Sequence, residues 1–362
     1  MRILIYYSQR QLLIRLRPLS PKKIMLDNKL AIASVSLGQH SSHTLPHKIV
    51  AAAENGFCGL EITFPDLELY SNSLSIPILD AARDIKGLCM AHRIRVIALV
   101  SFQNFEGHLS PLDERLKKAK IWLAIARAIG AEYLQVPSTY DRNINTDHEV
   151  IVSELRELAD LAAAPEPVIK IAYENLAWSS HCTLWQDALR IVQEVDRGNF
   201  GLCLDSFHLS TALWADPFTS SGRQPNGAQR LEESLQDFLK NCPLDKIFYV
   251  QLSDGEILDP PYSESHPWYD PALAVGHVWS NEARPFPLET GYGAYMPVQS
   301  IAKAFLVDKG FSGWVSLETF DRRMREEKND PVRNASRAVK AWHHLREKLI
   351  MDNPILHRVG TL

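Results

Sequence analysis

Four short apolar runs between residues 168 and 320 each end in a side chain that offers oxygen. They are VIKIAYEN at Glu174, FGLCLDSFH at Asp205, KIFYVQLSDG at Gln251 and GWVSLETF at Glu318. Runs this apolar, bounded by polar residues, read as parallel strands buried on both faces. A parallel barrel gathers the C-terminal ends of its strands at one mouth, where catalytic groups are built. Four oxygen donors on four successive strand ends therefore predict a metal site. Taken singly, a carboxylate at a strand end also fits a helix cap, as Glu174 before Asn175 does. Four caps have no reason to fall on consecutive strands. An all-oxygen set with three anions favours a hard divalent ion, Mg²⁺ or Mn²⁺ and also Co²⁺, over zinc, which prefers nitrogen and sulfur; zinc stays open. His208 follows Asp205 by three residues, in the turn above the predicted mouth. Its imidazole titrates near neutral pH, which makes it the leading general acid/base.

The elements that must position these groups repeat along the chain. Strand patterns at 30–36, 58–63, 94–100, 132–136, 168–173, 200–205, 246–252 and 313–318 alternate with helical ones. The latter lie at 45–55, 76–92, 111–129, 147–163, 183–196, 229–241, 297–309 and 332–349. In LDERLKKAKIWLAIARAIG, Leu116, Ala119, Leu123, Ala126 and Ile129 recur at three- and four-residue steps, and Gly130 supplies a stop. Eight strands alternating with eight helices predict a (β/α)₈ TIM barrel, a single α/β domain over residues 29–350. Neither GxGxxG nor GxxxxGK[ST] follows the first strand, so the usual nucleotide-binding signatures are missing. Residues 254–296 form a long connection after the seventh strand, rich in proline and aromatic residues. Its aromatic content argues for an ordered wall or lid over the mouth, with a structural loop as the plainer reading.

A formal charge of −4 and a pI near 6.4 give no reason to expect a nucleic-acid partner. No apolar stretch is long enough to span a membrane. The five cysteines are scattered without metal or redox spacing, which suits a reducing, cytoplasmic setting, and Cys203 reads as a small buried hydrophobe. The first 28 residues carry six basic and few acidic groups, and the last twelve, 351–362, read as a tail. A flexible extension, an upstream start with Met25 as the true beginning, and mitochondrial targeting all fit that N-terminal composition.

The strings YEN, LDSFH, VQLSDG and SLETF resemble the xylose isomerase-like barrel superfamily. LAIASVSLG with LPHKI, GFCGLEITFPDLE, VQLSDGEILDPPYSESHP and GAYMPV narrow the resemblance to fungal-type 3-dehydroshikimate dehydratases, over about residues 29–345. That resemblance implies metal binding by Glu174, Asp205, Gln251 and Glu318, with His208 in the catalytic position. It further implies conversion of the small molecule 3-dehydroshikimate to protocatechuate and water, in quinate and shikimate catabolism. Two segments depart from the expected pattern: Pro65 stands at an acidic position in EITFPDLE, and VSFQNFEG is altered at the third strand end.

For such a substrate, a carboxylate clamp is expected from Arg284, with Ser265 and His266 next. Glu61, near the second strand end, positions substrate or His208, or is a structural hydrogen-bonding group. A sugar or hydroxy-ketone isomerase or epimerase would share the metal and use Glu174 and Glu318 as opposed acid/base groups. A multi-zinc endonuclease would need a histidine-rich site and a basic groove, and the all-oxygen quartet and net negative charge argue against it. A non-catalytic metal-binding barrel is the remaining class, and a homo-oligomer is compatible with all of these.

Overall fold

The computed structural model describes residues 26–351. Most of the N-terminal extension and the tail from residue 352 lie outside the described residues, as does the question of Met25. The strands are β1 (Lys29–Ala33), β2 (Gly59–Thr63), β3 (Arg95–Val100), β4 (Tyr133–Pro137), β5 (Lys170–Glu174), β6 (Phe200–Asp205), β7 (Ile247–Leu252), β8 (Ala283–Arg284), β9 (Trp314–Leu317) and β10 (Phe320–Asp321). All except β8 and β10 close one parallel barrel in the order β1-β2-β3-β4-β5-β6-β7-β9. The predicted (β/α)₈ barrel is the observed fold.

Helices α1 (Leu45–Glu54), α2 (Phe64–Leu74), α3 (Ile78–Ala91), α4 (Leu112–Ile129), α5 (His148–Ala163), α6 (Trp185–Val195), α7 (Ser206–Leu213), α8 (Gly227–Asn241), α9 (Val275–Glu282), α10 (Val298–Ala302) and α11 (Pro331–Met351) accompany it. Gly130, at φ 77°, ends α4 in the left-handed region that its missing Cβ permits. Three helices escaped the periodicity reading. Helix α2 starts directly off β2 on Pro65, a residue suited to a first helical turn. Helix α7 starts directly off β6, with no loop to announce it. Helix α9 lies inside the long connection. The first strand is also shorter than predicted, because Ser34–Leu37 turns into a 3₁₀ helix. No helix among the described residues is long and apolar enough to cross a membrane.

Two apolar cores result, one between strands and helices and one inside the barrel. The inner core contains Ala31, Ala172, Cys203, Tyr249 and Trp314. Because side chains on one face recur every second residue, the next inward positions toward the mouth are Glu174 after Ala172, Asp205 after Cys203 and Gln251 after Tyr249. The same pleat carries Gly59 to Glu61. Strand period alone thus places polar groups one layer above an apolar plug.

The long connection is an ordered wall. Ribbon β8–β10 pairs Arg284 with Phe320, just beyond Glu318. At the root of this wall the buried Asp254 carboxylate accepts backbone N–H groups of Gly255, Leu288, Tyr295 and Met296 at 2.8–3.1 Å. These bonds hold backbone along the irregular path; the Tyr295 N–H is shared with the Gly255 carbonyl at 3.2 Å. Trp279 adds a bond from Nε1 to the Glu256 carbonyl at 2.9 Å.

Candidate metal and catalytic site

Glu174 and Asp205 are the last residues of β5 and β6, Gln251 is next to last in β7, and Glu318 follows β9. All four are buried, as are His208 and Glu61. Asp205 combines the cap and site readings in one side chain. Its Oδ1 accepts the Phe207 N–H at 2.7 Å and caps α7, while Oδ2 turns to Arg284. The cap sets the first turn of α7, and that turn carries His208 inward. There His208 Nε2 lies 3.5 Å from Glu174 Oε1 and 3.8 Å from Asp205 Oδ2. Ligand atoms of Glu174, Asp205 and His208 all fall within 4.8 Å of one another.

Ala177 N–H donates to His208 Nδ1 at 3.2 Å, so the neutral ring favours the tautomer with its proton on Nε2. Trp178 packs on the imidazole, ring centroids 4.7 Å apart. Burial, and then the charge of Arg284, hold the His208 pKa well below its ordinary value. The histidine is therefore neutral at the pH where it would work.

Gln251 stands beside Asp205 in register. Its amide Nε2 donates to Glu61 Oε2 at 2.9 Å, and its Oε1 accepts from Cys203 Sγ at 3.3 Å. Glu61 also accepts from Tyr249 Oη at 2.8 Å. Arg284, read from sequence as a substrate clamp, is wholly buried and pairs with Asp205 and, at 3.1 Å, with Glu318. Ser253 Oγ accepts its Nε–H at 2.7 Å and holds the guanidinium in place. Ser265 is exposed, and its hydroxyl meets that of Ser263 at 3.0 Å. His266 packs against Tyr262 and Trp268. Neither Ser265 nor His266 lines the cavity at the mouth, whose volume is about 520 Å³. Glu174, His208, Arg284 and Glu318 do line it, along with Gln135, Trp178 and His277.

Gln135 escaped the sequence reading. Its amide donates to Glu174 Oε2 from the inward face of β4. The signal was available, since an amide inside the run EYLQV is as unusual as Gln251 in its own strand. Trp178 and the Ala177 N–H carried no comparable signal, because only the path of the loop after β5 brings them to His208.

The electrostatics of this cluster are unbalanced. Four buried carboxylates, Glu61, Glu174, Asp205 and Glu318, share one buried guanidinium. Burial, then the charges of Glu318 and Asp205, push Glu174 well above the ordinary carboxylate range. Burial raises Asp205, and raises Glu318 to about 8, in both cases against the pull of Arg284. Glu61 is likewise raised by burial, against its hydrogen bonds. Glu174 Oε1 is buried with no hydrogen-bond partner. An orphaned carboxylate oxygen amid surplus negative charge, with oxygen and imidazole donors around it, fits a divalent cation.

This imbalance sets an expected pH dependence. From the ordinary 4.5 up to about 8 for Glu318, the metal-free folded chain holds more protons than the unfolded one. Its stability is therefore full below that window and falls as pH rises through it. A bound cation takes over from the protons and flattens the slope. Urea midpoints at about pH 6 and about pH 9, with chelator and with Mn²⁺, check this; a metal-free midpoint that rises with pH contradicts it.

Comparison with known proteins decides the family. The xylose isomerase-like TIM barrel family matches residues 49–346. The chain is 37% identical over 344 residues, 90% of its length and 95% of the relative's, to a 3-dehydroshikimate dehydratase of Neurospora crassa. This chain belongs to the xylose isomerase-like TIM barrel family of the 3-dehydroshikimate dehydratases. A Pseudomonas aeruginosa protein of the same name is 29% identical over 89% of the chain, which spans 41% of that longer relative. Among solved structures, a xylose isomerase-like TIM barrel/4-hydroxyphenylpyruvate dioxygenase fusion protein superposes with a TM-score of 0.69 at 26% identity. It covers 90% of this chain, which in turn covers 44% of the fusion. The carboxylate cluster lies at the C-terminal ends of the barrel strands, the face on which TIM-barrel enzymes build their active sites.

Proposed function

We propose that this chain dehydrates 3-dehydroshikimate to protocatechuate and water, with a hard divalent metal ion, Mg²⁺ or Mn²⁺, as its cofactor. The observation that carries the reading is likeness to the Neurospora crassa dehydratase along nearly all of both chains. At the barrel mouth this likeness meets a carboxylate cluster short of positive charge, beside a neutral histidine. Glu174, Asp205 and Glu318 would hold the ion, with Gln251 after rotation of its amide away from Glu61. When bound, such an ion supplies Lewis acidity to a ring carbonyl and its neighbouring hydroxyl.

The chain's own residues do the rest. His208 works through Nε2, the ring atom turned toward Glu174 and Asp205. Uptake of the ring proton next to the carbonyl at Nε2 uses the tautomer that carries its proton on Nδ1, in which the Ala177 bond is given up, and it leaves an imidazolium. The Nε2–H of that imidazolium then protonates the departing hydroxyl, which leaves as water, and the ring returns to its neutral form. Trp178 keeps the imidazole in its plane and shields it from water. Arg284 stays charged between Asp205 and Glu318 and prevents their mutual repulsion from opening the site. Glu61 positions Gln251 through its two contacts. Free thiols, four of the five buried, suit the cytoplasm as the place of action.

The test is an ultraviolet assay of metal-stripped protein with 3-dehydroshikimate before and after addition of Mn²⁺ or Mg²⁺. Metal-dependent appearance of protocatechuate is expected. Failure with every hard divalent ion overturns the reading. Because Glu174 and Glu318 both face the cavity, turnover of a ketose without an aromatic product would then select an isomerase or epimerase.

A further inference from the structure

We propose that Lys118, Ser101, Gln103 and Tyr140 form the receptor for the carboxylate of the substrate, on the side of the cavity away from the acidic cluster. The proposal deepens the dehydratase reading and rests on it. A substrate carboxylate cannot settle among Glu61, Glu174, Asp205 and Glu318 without adding a fifth negative charge. The buried cation there, Arg284, already faces two of them. In the substrate ring, the carbon bearing the carboxylate lies para to the carbon that loses its proton. When the reacting edge meets the cluster, the carboxylate therefore points across the barrel.

Across the barrel from β7, four strands away in the closed order, stands β3. Its end leads into the segment VSFQNFEG, which plays no part in the proposed metal site. Ser101, Gln103, Lys118 and Tyr140 all line the cavity. Lys118 Nζ lies over the Phe102 ring at 5.4 Å, and among the described residues no carboxylate pairs with it. The adjacent Lys117 is bound to Asp113 at 2.9 Å and is taken out of consideration. Tyr140 Oη donates to Gln103 Oε1 at 2.9 Å, and Gln103 Nε2 donates to Ser101 Oγ at 2.9 Å. The relay leaves the Ser101 hydroxyl proton for an outside acceptor. One free ammonium and one oriented hydroxyl on the same wall make a carboxylate receptor.

The wall is also held in advance. Behind it, buried Glu106 accepts from Thr139 N–H at 2.8 Å and Tyr173 Oη at 2.9 Å, which ties the loops after β3 and β4 to β5. Arg115 makes a two-armed pair with Glu154 at 2.6 and 2.7 Å, and Glu154 accepts the Gly107 N–H at 2.7 Å. The loop backbone behind Ser101 and Gln103 is thus braced, and the freedom lost on binding is mainly that of the exposed Lys118 side chain.

Titration calorimetry with protocatechuate and with catechol, which differ only in the carboxylate, tests the proposal on protein supplied with Mn²⁺. Lys118→Ala is expected to raise the Kd for protocatechuate about tenfold and to leave that for catechol within about twofold. Lys118→Arg recovers the affinity, and added salt shrinks the difference between wild type and Lys118→Ala. In turnover, Lys118→Ala raises KM and spares kcat. Lys118 is exposed, and Lys118→Met serves as the second variant if the alanine protein is poorly behaved. Equal weakening of both ligands, or of neither, overturns the inference. Wild type that discriminates the ligands through Lys118 yet forms no protocatechuate keeps the receptor and sinks the dehydratase reading. Product formation with Lys118 indifferent does the reverse.

Discussion

Glu318→Gln is expected to lower kcat/KM for 3-dehydroshikimate by more than about 100-fold and to weaken Mn²⁺ binding in parallel. Even groups one step removed from a metal cost on the order of 10–100-fold when replaced, and Glu318 is proposed to touch the ion directly. The substitution keeps the side-chain shape and removes one of three proposed anionic ligands. It also leaves Arg284 with a single carboxylate partner, since Glu318 is its second at 3.1 Å. The guanidinium then competes for Asp205 more strongly, which works further against the cation. Initial rates of protocatechuate formation and Mn²⁺ calorimetry on the same preparation check this. Unchanged activity would remove Glu318 from the site.

His208→Ala separates chemistry from metal binding. A positioned acid/base group contributes roughly 10²–10⁴-fold, so kcat is expected to fall by about that range. Mn²⁺ affinity should stay close to wild type, because the proposed ligands are oxygen donors and the lost ring is neutral. The effect belongs to kcat rather than KM, since His208 acts on the proton in transit. A wild-type rate would eliminate the acid/base role. Loss of Mn²⁺ affinity equal to that of Glu318→Gln would instead make His208 a metal ligand, which its placement within 4.8 Å of Glu174 and Asp205 permits geometrically.

The barrel itself was readable because each buried strand is a near-continuous apolar run and each long helix is amphipathic. Those patterns are local, and parallel closure follows from their alternation. Helices α2 and α7 were not readable, because each begins on the last residue of a strand without a loop. For α7 the cap is the site aspartate itself, so one residue answers to two local codes. Arg284 is the opposite case. Its residue type suggested an anion partner, but which anion depended on ribbon β8–β10, a pairing between segments 36 residues apart in sequence (Arg284 and Phe320). Ser265 and His266 lie in the same connection, and the path of the chain leaves them off the cavity wall.

The sequence by itself determined the fold class and the level of the barrel at which polar groups lie. Both depend on periodicities of two and about 3.6 residues that any short window contains. Tertiary structure alone decided which groups meet at that level. The Nε2 of His208 faces Glu174 because Ala177 and Trp178 hold its ring. The Arg284 charge is committed to Asp205 and Glu318, whereas the Lys118 ammonium lies over Phe102 at the cavity wall with no carboxylate partner among the described residues. Pairing among charges depends on distances between strands remote in sequence and on burial, which strengthens each interaction by excluding water. Neither quantity is written in any local stretch of the chain.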